Sequence, residues 1–201
     1  MLDRLALRLA KPVVDAAAAG LAARGIGADQ VTLAGFGFGV LAALSVALGF
    51  TGLGLLLLLL NRALDGVDGA LARATGPTER GAFLDITLDF VFYAAIPLAF
   101  AIQDPGANAL AAAILLAAFL ATGTSFLAFA VMAEKRGLKS TAFPAKSFYY
   151  LGGLTEGTET ILCFAAMCVW PAHFAGIALF YAGLCAVTAM TRLVAGWRLF
   201  A

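Results

Sequence analysis

Apolar stretches of about 20 residues dominate this chain, and each is long enough to cross the hydrocarbon core of a bilayer as an α-helix. Only 12% of its 201 residues are charged, whereas soluble domains carry about 25%. The connections between the stretches are short, so the pattern predicts one all-α integral membrane domain over residues 1–201. We predict six membrane-spanning helices, over residues 31–50, 52–72, 81–102, 107–133, 147–170 and 172–198.

Residues 1–20 precede this six-helix bundle of residues 31–198 and have a different pattern. Their apolar residues, Val13 and Ala16 among them, recur at helical spacing on one stripe, while the charged residues occupy another. Such a helix places its apolar stripe in lipid and its cations beside anionic headgroups. We therefore predict an amphipathic interfacial helix, kinked or split at Pro12. An ordinary charged tail is the alternative interpretation.

The 13 Lys and Arg residues are unevenly distributed along the chain. With six spans, all of them fall on the side shared by the N-terminus, the 73–80 turn, the 134–147 loop and the C-terminus. Because cytoplasmic loops of membrane proteins are enriched in Lys and Arg, both termini are predicted to lie in the cytoplasm. A wrong span count would scatter these charges, so their distribution also favours six. The net charge of +1 gives no indication of nucleic-acid binding.

Ionisable residues are costly inside a bilayer and usually functional, and here they concentrate in residues 61–90. Asp65 and Asp68 are three residues apart and therefore share a helix face. After a polar turn, Asp85 and Asp89 are four residues apart, again on one face. Because the turn reverses the chain, we predict that two antiparallel helices bring both pairs together just below the cytoplasmic surface.

Four carboxylates in a small volume repel one another by several kcal/mol unless cations offset their charge. Two divalent cations would balance them, and ligands made only of oxygen favour Mg²⁺, Mn²⁺ or Ca²⁺ over Zn²⁺. Gly66 and Gly69 are predicted to leave room for a phosphate-bearing ligand, with Arg73 and Arg80 as its phosphate partners. Paired metals of this kind stabilise the attacking and leaving oxygens of a phosphoryl displacement.

The acidic segment resembles the signature of the CDP-alcohol phosphotransferase (CDP-alcohol phosphatidyltransferase class I) family, D-x-x-D-G-x-x-A-R, a spacer, then G-x-x-x-D-x-x-x-D. Its eight fixed positions are Asp65, Asp68, Gly69, Ala72, Arg73, Gly81, Asp85 and Asp89. The spacer has seven residues here and about eight in the common form, a difference that falls in the turn. The overall pattern is similar to a little-characterised branch of this family in the bacterial inner membrane.

The resemblance implies a transferase that moves a phosphatidyl or another substituted phosphate group from a CDP-linked donor, expected to be CDP-diacylglycerol, to a small alcohol, releasing CMP. It also implies two ions of Mg²⁺ or Mn²⁺, a cavity open to the cytoplasm, and a homodimer in the inner membrane. All four aspartates are then metal ligands, and Asp89 is in addition the general base for the acceptor hydroxyl.

The same resemblance predicts where the CDP-linked donor binds. Four residues of the signature are expected to contact it: Gly69, Ala72, Arg73 and Gly81. Family members also carry a P-N-x-x-T stretch at the start of the first span, and here Ala28 and Asp29 replace its Pro and Asn while Thr32 is retained. Thr32 is therefore expected to face the nucleotide. Asp29 either does the same or caps the helix N-terminus.

A second set of charged residues lies in the last two predicted spans and the loop before them: Lys146, Glu156, Glu159 and Arg192. One interpretation pairs Glu156 or Glu159 with Arg192 in a structural network between helices. The other makes this face the wall of the acceptor pocket. Two carboxylates there would repel a phosphorylated acceptor and favour a neutral polyol or an amine-bearing alcohol.

Intramembrane acids also occur in proton- or cation-coupled transporters, which are the alternative function. Such transporters often have internal repeats or broken helices, and neither is visible in this sequence. A polyprenyl-phosphate sugar transferase is a third hypothesis, but its acids would be expected in loops. The three cysteines suit no metal site and are interpreted as buried structural thiols.

Overall fold

The computed structural model of the protein describes residues 2–137 and 154–201. The described residues are almost entirely helical and contain no β-strand. Their seven α-helices are α1 (Leu2–Ala22), α2 (Ala28–Ala47), α3 (Thr51–Thr75), α4 (Glu79–Gln103), α5 (Pro105–Lys135), α6 (Gly157–Val169) and α7 (Phe174–Phe200). A short 3₁₀ turn, Pro171–His173, joins α6 to α7. The predicted all-α fold is therefore confirmed.

Four of these helices are long and apolar enough to cross a membrane: α2, α4, α5, and α7 with the 3₁₀ turn before it. The helix α3 has 25 residues but is not among them, because its second half carries Arg62, Asp65, Asp68 and Arg73. The helix α6 is apolar but has 13 residues, and the span predicted over 147–170 begins outside the described residues. The count of six spans stays a prediction.

The N-terminal helix α1 packs mainly against α3 and also contacts α6. Its Val14 and Ala18 join a small apolar cluster with Val67 and Leu71 of α3. Val13, which belongs to the predicted lipid-facing stripe, is 74% exposed and takes no part in that cluster. A helix is thus present where one was predicted, and it runs through Pro12. Its location in the membrane interface stays a prediction.

The helix α2 packs against both α3 and α4, while α3 and α4 approach each other little. Two glycines of α2 make this possible. A Cβ atom on Gly35 would lie 3.3 Å from the Cβ of Leu64 on α3, and one on Gly39 would lie 2.8 Å from the Phe92 ring on α4. The small-residue face formed by Gly35 and Gly39 therefore serves contacts within the chain. Because α2 holds both neighbours, a cleft remains between α3 and α4.

Aromatic side chains set the direction of α6 relative to this cleft. Phe164 of α6 packs edge-on against Phe92 of α4, with ring centroids 6.3 Å apart. Phe174, which begins α7 just after α6 ends, stacks on Phe100 near the C-terminal end of α4, with centroids 4.6 Å apart. The C-terminal ends of α4 and α6 therefore share one end of the bundle. Their N-terminal ends share the other, where α4 carries its aspartates.

We predict that Gly39→Ala lowers the free energy of unfolding by about 1–3 kcal/mol, because the added methyl group must displace the Phe92 ring. Gly37→Ala is the matched control, since a Cβ atom there meets nothing within 4 Å and alanine is favourable in a helix. Thermal unfolding of both variants in one detergent gives the difference. Equal unfolding temperatures would contradict the role given to Gly39.

Candidate active site

The cleft between α3 and α4 collects the acidic residues of the signature. Carboxylate oxygens of Asp65 on α3 and of Asp85 and Asp89 on α4 lie within 4.8 Å of one another. Asp68 of α3 lines the same cavity but does not belong to this close group of three. The structure thus brings all four aspartates to one cavity, as their spacing predicts.

The turn between α3 and α4 fixes the register of these aspartates. The helix α3 ends at Thr75 and is followed by Gly76, whose φ of +102° is strained for any residue with a side chain. Thr78 then caps α4, because its hydroxyl accepts a hydrogen bond from the Gly81 N–H at 3.0 Å. An ion pair between Arg80 and Asp29 also ties the start of α4 to the start of α2. The first turn of α4 is therefore fixed by the Thr78 cap and by the Arg80 ion pair, and Asp85 follows it on the same helix.

The cavity opens to solvent at one side, its mouth, and its lining residues differ widely in exposure. Its lining residues come from α2, α3 and α4: Thr32, Gly35, Phe36, Asn61, Arg62, Asp65, Asp68, Asp85, Leu88 and Asp89. Asp85 is exposed at the mouth, and the side chains of Asp65 and Asp89 are 35% and 29% exposed. Asp68 is buried, with 5% of its surface exposed. Water therefore screens the charge of Asp85 most and the charge of Asp68 least.

One basic side chain lies inside this acidic cavity. The Arg62 Nη2 atom donates a hydrogen bond to Asp89 Oδ1 at 2.8 Å, and Nη1 lies 3.5 Å from Asp65 Oδ1. The sequence interpretation counted Arg62 only among the cytoplasmic charges and missed it as a residue of the site. The available signal was Asp65, three positions later on the same helix face. Asp89 lies 27 residues away, so helical spacing could not reveal that contact.

Of the predicted donor-binding residues, Thr32 lines the cavity, and its hydroxyl donates to the Ala28 carbonyl oxygen at 3.1 Å. The others lie outside the lining, at the end of α3 and the start of α4: Gly69, Ala72, Arg73 and Gly81. The exposed Arg73 side chain folds back over Gly69, where a Cβ atom would lie 3.3 Å from Nη1. Gly69 therefore gives room to the guanidinium of Arg73.

The interpretation of Gly66 as a residue that leaves room for the ligand is wrong. Gly66 does not line the cavity. A Cβ atom on it would lie 3.7 Å from Cγ2 of Val14, an ordinary contact with α1. Gly66 therefore faces the N-terminal helix. The helical spacing explains the error, because one residue after Asp65 the helix has turned by about 100°.

The interpretation of Asp29 as a helix cap is also wrong. The helix α2 begins at Ala28, and its N-cap is Gly27. The Gly27 N–H donates to the Gln30 side chain at 3.0 Å, so a glutamine carries out the capping. Asp29 lies in the first turn and accepts a hydrogen bond from Arg80 Nε at 2.8 Å. Arg80, predicted as a phosphate partner, is thereby paired within the protein.

The predicted acceptor residues lie on other helices. Glu156 directly precedes α6 and Glu159 is in its first turn, where the helix dipole stabilises acids. Arg192 of α7 is 7% exposed, and its Nη1 donates to the backbone oxygen of Thr122 on α5 at 3.1 Å. None of these three lines the aspartate cavity of the described residues. Lys146 lies outside the described part of the chain.

The ligand atoms of the cavity suit a hard divalent cation. Three carboxylate oxygens converge within 4.8 Å, and in the described residues neither cysteine nor histidine belongs to this group. Mg²⁺ and Mn²⁺ prefer such oxygen ligands and complete their coordination with water or phosphate oxygens. Cations held in pairs by such ligands are used by enzymes that transfer phosphate groups.

Comparison with known proteins identifies the family. The family model of the CDP-alcohol phosphatidyltransferases matches residues 26–194. The chain is also 50% identical over 197 residues to the inner membrane protein YnjF of Escherichia coli (strain K12), a match that covers 98% of this chain and 96% of that protein. This protein therefore belongs to the CDP-alcohol phosphatidyltransferase family. The transporter and sugar-transferase hypotheses are not retained.

Two solved structures of Mycobacterium tuberculosis phosphatidylinositol phosphate synthase (PgsA1) are similar to this protein. The one with CDP-DAG bound has a TM-score of 0.73 and 24% identity, covering 92% of this chain and 94% of that chain. The one in complex with manganese and citrate has a TM-score of 0.72 and 25% identity, covering 92% and 88%. The similarity extends over nearly the whole fold.

Proposed function

We propose that this protein transfers a phosphatidyl group from CDP-diacylglycerol to the hydroxyl group of a small alcohol and releases CMP. The convergence of Asp65, Asp85 and Asp89 within 4.8 Å, in a chain of this family, carries the proposal. Two similar structures support the choice of donor and metal, because one contains CDP-DAG and the other manganese.

The signature residues have distinct tasks in the proposed mechanism. Asp65, Asp68 and Asp85 would hold two divalent cations through carboxylate oxygens. When bound, two Mg²⁺ or Mn²⁺ ions supply positive charge that stabilises the attacking and leaving oxygens. The exposed Arg73 guanidinium binds the donor phosphates near Gly69, Ala72 and Gly81. The Thr32 hydroxyl faces the nucleotide from α2.

The transfer itself needs one proton acceptor. Asp89 contributes to the metal site and takes the proton of the acceptor hydroxyl, whose oxygen forms a bond to the β-phosphorus of the donor. The bond between that phosphorus and the bridging oxygen of the pyrophosphate breaks, and CMP leaves with the bridging oxygen. The Asp89 carboxylate is suitably placed for this task, because it is part-buried and lies close to Asp85 on its own helix and to Asp65 on α3.

We predict that Asp89→Asn lowers turnover by about 100-fold or more, because an amide cannot accept the hydroxyl proton. Donor binding should change little, since the three remaining aspartates and Arg73 are intact. CMP release from CDP-diacylglycerol in nanodiscs gives the turnover, and retention of labelled donor gives the affinity. Asp104→Asn is the control, because Asp104 caps α5 and asparagine caps equally well.

Equal losses of turnover and donor affinity would show that Asp89 is only another metal ligand. If the unaltered protein released no CMP from CDP-diacylglycerol with any acceptor and Mg²⁺ or Mn²⁺, the proposed function itself would be wrong.

We further propose that both termini and the mouth of the cleft face the cytoplasm of a cell with this protein in its inner membrane. The similar protein YnjF is an inner membrane protein, and the Lys and Arg distribution supports the orientation. A reporter active only in the cytoplasm should work when fused after Ala201 and fail when inserted between Gln103 and Asn108. The reverse result would overturn the orientation. The homodimer stays a prediction.

For the acceptor, we propose a neutral polyol or an amine-bearing alcohol. The N-terminal end of α6 carries Glu156 and Glu159 and lies at the aspartate end of the bundle. The same helix packs on α3, which forms one wall of the cleft. Two carboxylates in that position attract an ammonium group, accept hydrogen bonds from hydroxyls and repel a phosphate. Arg192 is buried and donates to the Thr122 backbone oxygen of α5, and Lys146 lies outside the described residues.

We predict that Glu156→Gln raises the KM for the acceptor by about tenfold, the loss of one hydrogen bond to a charged group. The KM for CDP-diacylglycerol should be unchanged, because the donor binds to other helices. Glu134→Gln, an exposed change at the end of α5, is the matched control. The acceptors to compare are inositol, glycerol, serine, ethanolamine, glycerol 3-phosphate and inositol phosphate. Preference for either phosphorylated acceptor would contradict the proposed pocket.

A further inference from the structure

Arg62 is a cation built into the acidic cavity by the protein itself. Its guanidinium contacts carboxylates on both walls of the cleft, Asp89 on α4 at 2.8 Å and Asp65 on α3 at 3.5 Å. Its side chain is only 14% exposed. An arginine on a protein surface pairs loosely and loses its contacts to water. Arg62 is instead largely enclosed where the two helices meet.

The guanidinium is also fixed from the sides that face away from the acids. Its Nε atom donates a hydrogen bond to Asn61 Oδ1 at 2.7 Å. Asn61 is buried and donates in turn to the Gly35 backbone oxygen of α2 at 2.8 Å. The rings of Phe92 and Tyr93 lie 4.7 Å and 5.6 Å from the guanidinium carbon. Contacts from α3 and α4, two of them with aromatic rings, therefore hold one arginine in one place, and α2 supports it through Asn61.

These contacts leave the two oxygens of Asp89 in different situations. Oδ1 accepts the hydrogen bond from Arg62. A carboxylate that binds a metal with both oxygens has none left to take a proton from a hydroxyl group. An oxygen bound to a fixed guanidinium is less available to a metal, which limits how many bonds Asp89 makes to the ions.

We propose that Arg62 is a positioning residue: it occupies one oxygen of Asp89, prevents this carboxylate from becoming a full metal ligand, and leaves its other oxygen to the acceptor hydroxyl. The role rests on the proposed function of Asp89 as general base. Arg62 thereby raises turnover at the cost of weaker metal binding. A residue that only stabilises the fold would not produce that combination.

The charges in the cavity lead to the same expectation. Four carboxylates and one guanidinium give a formal charge of −3, so two divalent cations leave the loaded cavity at +1, a suitable charge for an incoming pyrophosphate. Without the guanidinium, the same two cations would be attracted by a charge of −4. Removing Arg62 should therefore tighten metal binding while it slows the reaction.

The test is a comparison of Arg62→Met and Arg62→Lys with the unaltered protein in detergent or nanodiscs. Mn²⁺ affinity is measured by electron paramagnetic resonance without donor or acceptor, and CMP release is measured separately. We expect Arg62→Met to bind Mn²⁺ about tenfold more tightly and to release CMP at least about tenfold more slowly. Arg136→Met is the matched control, because Arg136 is exposed and binds backbone oxygens at the end of α7.

Arg62→Lys retains the positive charge but loses the planar guanidinium that contacts several partners at once. Because the charge stays, this variant can be measured even if Arg62→Met fails to fold. Its Mn²⁺ affinity should stay within a few-fold of the unaltered protein. Its turnover should still fall, because one ammonium cannot contact Asp89, Asp65 and Asn61 together. Full turnover in Arg62→Lys would overturn the proposal, and so would unchanged or weaker Mn²⁺ binding in a folded Arg62→Met.

The Mn²⁺ titration needs no substrate, so this inference and the proposed function fail in different ways. Unchanged Mn²⁺ affinity in Arg62→Met, with CMP release intact in the unaltered protein, would reject only the role of Arg62. Absence of Mn²⁺ binding in the unaltered protein would reject both.

Discussion

Repulsion among four carboxylates in one narrow cleft is the constraint on which the rest of this structure depends. Asp68 is 5% exposed, and Asp65 and Asp89 keep about a third of their side-chain surface, so water screens only part of the charge. Cations must offset the remainder. The chain provides one of them, Arg62, in direct contact with two of the acids. Under the proposed function, divalent ions offset the rest and bring phosphate groups to the cleft.

The packing of α2 keeps this cleft open. Gly35 and Gly39 let α2 approach α3 and α4 closely. The helices α3 and α4 therefore pack on α2 more than on each other. The same helix supplies Thr32 to the cavity and, through the Gly35 carbonyl, the Asn61 contact that orients Arg62. The Asp29–Arg80 ion pair holds α2 and α4 together beyond the acids. Close helix packing and the chemistry of the cavity therefore depend on the same few residues.

The sequence was sufficient to predict the features that depend on spacing along one helix. Asp65 with Asp68, and Asp85 with Asp89, share faces because residues three or four apart do so in any α-helix, and a tight turn at Gly76 brings the two pairs together. Contacts between distant segments could not be predicted in this way. Arg62 meets Asp89 from 27 residues away, and Arg80 meets Asp29 from 51.

Two predictions were wrong because neighbours along the sequence do not fix which way a side chain faces or which partner it finds. The glycine at position 66 was assigned to the cavity because it is adjacent to Asp65, but adjacent residues on a helix face different directions. Asp29 was a reasonable cap by residue type, yet Gly27 and Gln30 cap the helix and leave Asp29 to Arg80. The helix α3 is not among the helices apolar enough to span a membrane, because the charged residues of its second half lower its hydropathy. The residues that form the cleft are thus the ones that weaken the hydropathy signal of α3.

Anomalous scattering from crystals of this protein grown with Mn²⁺ would locate the cations directly. We expect two peaks in the cleft between α3 and α4, with oxygens of Asp65, Asp68 and Asp85 at about 2.0–2.6 Å from the ions and Asp89 still bonded to Arg62. A single peak, or none, in a protein that binds CDP-diacylglycerol would contradict the conclusion that this cleft is built to hold two divalent cations.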